Sequence, residues 1–356
     1  MVNALDRLLT YLFQKTRRAP GFPPVHDWIT RRVGRWRATD YDVTDTVVVC
    51  GSPRSGTTWL AELLATLPGT EIVFEPLDPG RHPEISEEGL HMNTYLPPSE
   101  DAPSVRKYVD GVLRGKVKRT GMLHKEVRLG RLLAPERLIV KCVRGNRLLP
   151  WIEEQFDVSS VLLLRHPCAV VSSQLRFPEA WDEMKQRVEE GDIRTQIDEG
   201  EWVYPNTLLE NAPQLRSAYS SIKTVEQFLA FEWAVDALIP LRSPSSSRCV
   251  VSYEQLVTQG REQLECLFQF LDEHVPEAAH RRLGIPSQTT KSRSNVAKGG
   301  NPLTTWQDHL EDAQVEQILG LVHEAGIDFY DRSEKPDLDW LERQSRDSSS
   351  TISSSA

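Results

Sequence analysis

The sequence has no stretch of about 18 apolar residues, the minimum for a helix that crosses a membrane. It also lacks CxxC pairs and the HExxH pattern, and its nine histidines follow no metal-ligand spacing, so no zinc site is expected. The five cysteines have no framework spacing, which favours reduced thiols and a cytoplasmic protein. Cys50 and Cys142 lie in apolar runs and are expected to be small core residues.

The N-terminal extension, residues 1–44, also lacks the pattern of a signal peptide, because charges at Asp6, Arg7 and Lys15 interrupt its apolar residues. The extension begins with an amphipathic pattern, which a basic segment follows. Two interpretations of this pattern stay open: a helix packed on its own domain, which is favoured, or a helix in peripheral contact with a membrane. The apolar face consists of Leu5, Leu8, Leu9 and Leu12, and the basic segment contains Arg17, Arg18, Arg31, Arg32, Arg35 and Arg37.

The overall composition is that of a globular protein. The 356 residues are 39% hydrophobic and 26% charged, which allows one large α/β domain or two smaller ones. The net charge of −9 argues against binding of nucleic acid or another polyanion. From residue 333 the sequence becomes polar and rich in serine, which predicts a disordered tail over 333–356.

Strand and helix signals alternate along residues 45–332, which are predicted to form a single domain. The strand signals are short apolar runs without clear alternation, typical of parallel strands buried on both faces. Apolar stripes with helical spacing run from Trp59 to Leu67, from Leu264 to Leu271 and from Val315 to Val322, the last closed by Gly326. This order predicts a three-layer α/β/α fold with a mainly parallel central sheet. The expected strands are 46–50, 71–74, 138–143, 161–164 and 249–253.

The segment 176–221 interrupts this alternation. It is rich in charges and prolines and carries aromatic residues of the exposed type. We therefore expect an insertion on the substrate side of the domain. Its aromatic residues are Phe177, Trp181, Trp202 and Tyr204.

A glycine-flanked turn follows the first expected strand in VVVCGSPRSGTTWL, residues 47–60. Gly51 and Gly56 have the spacing of the phosphate-binding loop GxxxxGK[ST], whose backbone N–H groups hold an anion at a helix N-terminus. The lysine that contacts ATP is absent, because Thr57 follows Gly56, and the positive charge lies inside the loop as Arg54. The strand before Arg165 does not end in the aspartate that holds Mg²⁺ in P-loop NTPases. These features predict an anionic ligand bound without a metal.

Two segments are similar to the nucleotide signatures of the sulfotransferases that use PAPS (3′-phosphoadenosine 5′-phosphosulfate). PRSGTTWL, 53–60, resembles the loop that grips the 5′-phosphosulfate, and LLLRHPCAVVSSQ, 162–174, resembles the segment that supplies an arginine and a serine to the 3′-phosphate. The resemblance implies a P-loop NTPase-like fold, PAPS as co-substrate, no metal, and Arg165 and Ser173 at the 3′-phosphate. His166 is a departure, since family members more often carry aspartate there. The loop residues implied in nucleotide binding are Ser52, Pro53, Arg54, Ser55, Gly56, Thr57, Thr58 and Trp59.

Two further segments extend the resemblance over most of residues 47–330. VVSYEQLV resembles a strand and helix that carry a tyrosine near the nucleotide, which implies that role for Tyr253; a core tyrosine is the alternative. SRSNVAKGGNPLTTW, 292–306, resembles the C-terminal loop that folds over the nucleotide in protein-tyrosine and carbohydrate sulfotransferases, which implies Lys298 as a phosphate contact.

The candidate base is Glu75 in VFEPL, at the carboxyl end of an expected strand, where open α/β sheets bind ligands. Carbohydrate sulfotransferases have a similar Glu-Pro whose glutamate is the base; a surface glutamate is the alternative. His82 and His124 are weaker candidates, because a lone histidine is more often structural. Lys141 would be costly to bury unpaired, and the resemblance implies that it and Arg54 stabilise the leaving phosphate; a salt-bridged sheet residue is the alternative.

The sequence therefore predicts a PAPS-dependent sulfotransferase acting on a small-molecule or carbohydrate hydroxyl. Glu-Pro favours a carbohydrate or glycolipid acceptor, whereas the C-terminal loop is as similar to that of the tyrosyl-protein enzymes, so other alcohols and phenols stay open. Two alternatives from other classes are a P-loop kinase or NTPase and a non-catalytic nucleotide-binding homologue. The oligomeric state follows from none of these features.

Overall fold

The computed structural model describes residues 41–92, 94–116, 136–176, 208–209, 212–290 and 299–337. The N-terminal residues 1–40, His124, Lys298 and residues 338–356 lie outside these ranges. So does most of the predicted insertion. Its described part contains a helix, and the expected tail begins with five described residues, 333–337, of which Asp337 donates its backbone N–H to the Phe329 carbonyl at 2.7 Å.

Five strands form one sheet in the order β2-β3-β1-β4-β5. All four pairings between neighbours are parallel, and each strand lies within one or two residues of its expected bounds, so the predicted parallel sheet is confirmed. The strands are β1 (Thr46–Cys50), β2 (Thr70–Phe74), β3 (Arg137–Lys141), β4 (Ser159–Leu164) and β5 (Arg248–Ser252).

Ten α-helices lie in the described ranges, and none of them is long and apolar enough to cross a membrane. The three apolar stripes expected from the sequence fall in α1, α8 and α10, and the predicted glycine after the last of these helices is confirmed at Gly326, which has a φ of 93°. The helices are α1 (Thr57–Leu64), α2 (Pro103–Leu113), α3 (Leu149–Gln155), α4 (Pro167–Leu175), α5 (Pro213–Ser220), α6 (Val225–Leu241), α7 (Tyr253–Thr258), α8 (Gly260–Phe270), α9 (Glu277–Leu283) and α10 (Asp312–Glu324).

The sheet is apolar on both faces, and each face is covered by helices. In β1, Val48 and Cys50 pack into a core with α2, α3, α4, α6 and α10. Val47 and Val49 point to the opposite face and pack with α1, α7, α8 and α9. Successive side chains of a strand alternate between faces, so a run of consecutive apolar residues is buried on both sides. The three-layer α/β/α prediction is confirmed.

The edge strand β5 departs from the expected burial. Val250 is 38% exposed, and Arg248 and Cys249 are half-buried, whereas every residue of β1 is buried. The expectation of two buried faces is wrong for the first part of β5, which forms one edge of the sheet. Cys50 and Cys142 are fully buried, as expected of core residues.

Helix α6 was not among the helices expected from the sequence. It spans 17 residues, and apolar side chains occupy all of its faces rather than one stripe, which is the pattern of a fully buried helix. The Thr224 hydroxyl caps its first turn by accepting the Gln227 N–H at 3.2 Å. The helix brings Trp233 to the carboxyl end of β4, where its indole N–H donates to the Arg165 carbonyl at 3.0 Å.

Two valine truncations should separate the buried centre of the sheet from its edge. Val161 in β4 is fully buried, so Val161→Ala should lower the free energy of unfolding by about 2–3 kcal/mol through lost burial and the cavity left behind. Val250→Ala, the matched change at the exposed edge, should lower it by less than about 1 kcal/mol. Urea unfolding monitored by circular dichroism measures both values, and equal losses would contradict this assignment of the core.

Candidate functional site

The candidate site lies outside the carboxyl ends of β1 and β4. These strands are neighbours, but the chain leaves β1 toward β2 on one side of the sheet and leaves β4 toward β5 on the other. Such a reversal of direction opens a crevice between the two connections, where open α/β sheets bind ligands. Residues 51–56 follow β1 there, and Arg165 and His166 follow β4.

The loop after β1 depends on two glycines. Gly51 has a φ of 154°, and a Cβ on it would lie 2.5 Å from the Leu163 carbonyl oxygen. Gly56 has a φ of 107°, and a Cβ there would lie 2.8 Å from the Tyr253 ring. Neither position accepts a side chain without displacing backbone or an aromatic ring. The loop can therefore turn closely over β4 and against Tyr253.

The N-terminus of α1 is open to an anion. Its N-cap residue is Gly56, which makes no side-chain capping bond, and the first N–H groups of any α-helix have no acceptor within the helix. The Ser55 hydroxyl is fully buried and has no hydrogen-bond partner within the described residues. An anion here would receive hydrogen bonds and the favourable helix dipole.

Side chains from the two strand ends meet directly. The Arg54 Nε donates to the Ser173 hydroxyl at 3.2 Å, and the Arg165 Nη1 donates to the Arg54 carbonyl at 3.2 Å. The Gln174 side-chain amide donates to the Pro53 carbonyl at 3.0 Å. The loop after β1 and the start of α4, which the sequence singled out separately, thus form one cluster.

An aromatic pair borders this cluster. The Arg165 guanidinium carbon lies 4.1 Å from the centroid of the Tyr253 ring, a cation–π contact. Trp59 packs edge-on against the same ring at 5.5 Å between centroids. The Arg165 Nη2 also donates to the Pro302 carbonyl at 2.9 Å, so the described end of the predicted C-terminal loop reaches the site.

The cluster is strongly cationic. Loss of solvation around the guanidinium lowers the pKa of Arg54, and the positive charges of Arg165 and then Arg176 lower it further, although the Arg54 side chain still reaches solvent. The pKa of Arg176 is lowered in the same way, first by desolvation and then by the charge of Arg165. Arg176 was missed as a site residue because it was assigned to the predicted insertion. Its position three residues after Ser173, on the same side of α4, is the signal that could have identified it.

Glu75 and Lys141 form a buried ion pair at the ends of β2 and β3; each residue is only 4% exposed. The second Glu75 oxygen accepts the Val143 N–H at 2.9 Å, and the backbone N–H of Glu75 donates to the Lys141 carbonyl at 2.8 Å. The Lys141 Nζ also lies 4.8 Å from the centroid of the Phe74 ring. Lys141 is thus a salt-bridged residue at a sheet end, the alternative that the sequence left open, and any catalytic role of the pair is a proposal.

His166, the departure from the family pattern, serves as a helix cap. Its Nδ1 accepts the Cys168 N–H at 3.2 Å, and its Nε2 lies 2.9 Å from the Asp331 carbonyl, so Nε2 carries the proton. The ring stacks on Trp306 with 4.8 Å between centroids. Burial lowers the pKa of His166 to about 4, so the ring is neutral and can accept the capping bond that an aspartate would otherwise accept.

The remaining candidates are not part of this cluster as described. His82 is buried, and its Nδ1 lies 3.6 Å from a Glu84 carboxylate oxygen. His124 and Lys298 lie outside the described residues. Within the described ranges, no group of three or more His, Cys, Asp or Glu side chains could hold a metal ion. The expectation of a metal-free reaction stays a prediction.

The buried His166 should make stability depend on pH. The pKa of His166 is about 4 in the folded protein and about 6.5 in the unfolded chain. The stabilisation that comes from its neutral ring is therefore complete above pH about 6.5 and is lost as the pH falls toward 4. His166→Asn keeps a capping oxygen but cannot titrate. The free energy of unfolding of the wild type should therefore fall by about 3 kcal/mol more than that of His166→Asn between pH 7 and pH 4.

Denaturant unfolding at several pH values measures this difference. His91→Asn, which replaces an exposed histidine, is the control and should retain the wild-type pH dependence. A parallel pH dependence of wild type and His166→Asn would show that His166 is not a buried neutral residue.

No family model matches the chain, and the comparison with curated proteins gives no match. Solved structures do match. The sulfotransferase domain of the Synechococcus olefin synthase has a TM-score of 0.41 at 18% identity over 83% of this chain and 99% of that domain. The sulfotransferase domain from the curacin biosynthetic pathway has a TM-score of 0.36 at 16% identity over 85% and 96%. A mouse sulfotransferase complexed with PAP has a TM-score of 0.38 at 13% identity over 88% and 92%. These three structures are sulfotransferases or sulfotransferase domains, and at these low scores and identities the assignment of function rests on the site itself.

Proposed function

We propose that this protein is a sulfotransferase that uses PAPS as donor and a hydroxyl group as acceptor, without a metal ion. The supporting observation is the meeting of Arg54, Arg165 and Ser173 beside the open N-terminus of α1. In a P-loop NTPase the corresponding strand end supplies a carboxylate for Mg²⁺. Here it supplies a guanidinium, which is always charged and matches phosphate oxygens with two parallel hydrogen bonds.

The residues present fit a nucleotide with two separate anionic groups. Residues 52–58 and the open first turn of α1 would hold the 5′-phosphosulfate, and the buried Ser55 hydroxyl would gain a partner. Arg165 and Ser173 would hold the 3′-phosphate, with Arg176 adding charge. Trp59 and Tyr253, which pack against each other next to Arg165, would border the bound nucleotide.

PAPS, when bound, supplies the sulfuryl group, so the protein has to position the acceptor and stabilise charge. Arg54 and Lys141 would stabilise the negative charge of the leaving phosphate. Glu75 would take the proton of the acceptor hydroxyl, a contribution of about 10²–10⁴-fold for a typical general base. A carboxylate has about four lone-pair sites, so Glu75 can accept from Lys141 and Val143 and still has a free site for the proton of an acceptor hydroxyl.

A non-catalytic nucleotide-binding protein is the second candidate. The observation that favours it is the Glu75–Lys141 ion pair, because a buried pair in which both carboxylate oxygens have donors is also what a purely structural role requires. A kinase or NTPase is disfavoured by the missing loop lysine and by Arg165 at the strand end.

We further propose a small-molecule or carbohydrate hydroxyl as the acceptor, approaching from the side of the site that carries Glu75. A cytoplasmic setting is part of the proposal, because all five cysteines are free thiols and free thiols are typical of a reducing compartment. Contact of the N-terminal helix with a membrane stays a secondary prediction.

Adenosine 3′,5′-bisphosphate, the product that PAPS leaves, should stabilise the protein more than ATP with Mg²⁺. At 100 times its dissociation constant it should add about 2.7 kcal/mol to the free energy of unfolding, measured as a thermal shift. Arg165→Ala should weaken binding of the bisphosphate by about 10–100-fold, the value of one or more hydrogen bonds to a charged group, and leave binding of adenosine 5′-phosphate nearly unchanged.

Arg332→Ala is the control for this test, because Arg332 pairs with Asp312 and Glu316 on the surface and should not affect either ligand. Stronger stabilisation by ATP–Mg²⁺ than by the bisphosphate would overturn the proposal and favour a kinase.

Glu75→Gln should lower kcat by at least about 100-fold while the dissociation constant for the bisphosphate changes by less than about threefold. Glutamine retains the size of the side chain and an oxygen for the Val143 N–H, so the loss would reflect the missing carboxylate, both as a base and as the partner of Lys141. Turnover of labelled PAPS in an acceptor screen, together with calorimetry, measures both quantities.

Glu62→Gln is the matched control, since Glu62 is a buried carboxylate that pairs with Arg282 and lies outside the proposed machinery. It should retain turnover even if it lowers stability. Normal turnover in Glu75→Gln would remove the base assignment, and a wild type that binds the bisphosphate but transfers no sulfuryl group to any acceptor would favour the non-catalytic candidate.

A further inference from the structure

The carboxylate of Glu254 is buried directly behind the candidate site, and the proposed reaction does not use it. The residue is 1% exposed and follows Tyr253 at the start of α7. One carboxylate oxygen accepts the backbone N–H of His166 at 2.9 Å. The other accepts the Ser252 hydroxyl at 2.8 Å and the Tyr330 hydroxyl at 3.1 Å. Burying a carboxylate costs free energy unless its oxygens are hydrogen-bonded, and here three donors satisfy them. The first donor, the His166 N–H, belongs to the peptide that follows Arg165.

The bond to His166 is one of two that hold a single peptide group. The carbonyl of Arg165 and the N–H of His166 belong to the same planar unit. Trp233 donates to that carbonyl at 3.0 Å, while Glu254 accepts from that N–H. Both polar groups of the peptide are therefore fixed by buried side chains from different elements, which leaves the plane no freedom to rotate.

The orientation of this peptide determines where the Arg165 side chain leaves the backbone. A long arginine side chain has about 2 kcal/mol of rotamer entropy, so binding through it is weakened unless its direction is set beforehand. The ring of Tyr253 restrains the guanidinium of the same arginine at 4.1 Å. Tyr253 and Glu254 are consecutive, so one short segment after β5 restrains Arg165 at both its backbone and its charged end.

We propose that Glu254 is a positioning residue for recognition of the 3′-phosphate, acting through the peptide between Arg165 and His166. This inference rests on the proposed function, because it assumes that Arg165 binds the 3′-phosphate. Glu254 itself touches neither the ligand nor the reacting atoms. Its role is to set the direction of Arg165.

The hydrogen-bond donors around Glu254 suggest which substitutions are informative. Glutamine can present its oxygen to the His166 N–H and its NH₂ group to Ser252 and Tyr330, whose hydroxyls can rotate to accept. Leucine has a similar volume but leaves the His166 N–H without an acceptor. If hydrogen bonding to the peptide is what matters, Glu254→Gln should function and Glu254→Leu should not.

The measured quantity is the preference for the 3′-phosphate, that is, the ratio of the dissociation constants for adenosine 5′-phosphate and adenosine 3′,5′-bisphosphate. Glu254→Leu should lower this ratio by about 10-fold, and Glu254→Gln should stay within about threefold of the wild type. In an Arg165→Ala background, Glu254→Leu should cause no further change, because residues that act as a unit are not additive. A purely structural role would lower stability without this coupling.

Glu153→Leu is the matched control. Its carboxylate is also buried and ion-paired, with Arg248, but at the opposite, amino end of β5. It should lower stability and leave the ratio unchanged. If Glu254→Leu does not fold, Trp233→Phe tests the other half of the same peptide: it removes the donor to the Arg165 carbonyl, keeps an aromatic ring, and should also lower the ratio severalfold.

The outcomes separate the two proposals. A wild type without preference for the 3′-phosphate would overturn the proposed function and this inference with it. A wild type with that preference, combined with Glu254→Leu or Trp233→Phe variants that fold and keep it, would overturn the inference alone. A Glu254→Gln variant as impaired as Glu254→Leu would also overturn it, since hydrogen bonding to the peptide could not then be the cause.

Discussion

The parallel pairing of β1 with β4 is the constraint on which the site depends. It brings Gly51 so close to the Leu163 carbonyl that a Cβ would lie 2.5 Å from the oxygen, and only glycine allows that approach. The loop can then fold over the end of β4 and place Arg54 against Arg165 and Ser173. A wider spacing of the two strands at this end would separate the loop from the arginine that complements it.

The positive charges of the site are held in place before any ligand is present. Arg54 and Arg165 repel each other. Hydrogen bonds offset this repulsion: Arg54 donates to the Ser173 hydroxyl, and Arg165 donates to the Pro302 carbonyl. Fixed dipoles and charges that need no reorganisation are the most effective electrostatic stabilisers of an anion. His166 contributes to the same rigidity, because burial keeps its ring neutral and able to cap α4.

The features that depend on local patterns of residues could be predicted from the sequence. Apolar runs predicted the five strands, the spacing of Gly51 and Gly56 predicted an anion-binding loop, and the resemblance to the sulfotransferase signatures implied Arg165 and Ser173. The features that it did not reveal depend on contacts between distant segments. Glu254 contacts His166, 88 positions away, so nothing near it in sequence marks its role. Helix α6 has apolar residues on all faces, and such a segment lacks the amphipathic stripe by which helices are recognised.

Two residues of the candidate site, Arg54 and Glu75, have a backbone conformation that is unusual for their residue types. Among the described residues, three other than glycine have positive φ: Arg54 at 76°, Glu75 at 49° and Asp272 at 54°. Asp272 follows α8, where aspartate tolerates a left-handed turn after a helix. Arg54 and Glu75 are not residue types that tolerate this conformation well, and each carries roughly 1–2 kcal/mol of local strain that glycine would relieve. Glycine at position 75 would leave the buried Lys141 without its partner, so the ion pair offsets the strain of Glu75. Glycine at position 54 would relieve strain but remove the guanidinium that contacts Ser173, so at this position the charge of the site is kept at a cost in stability.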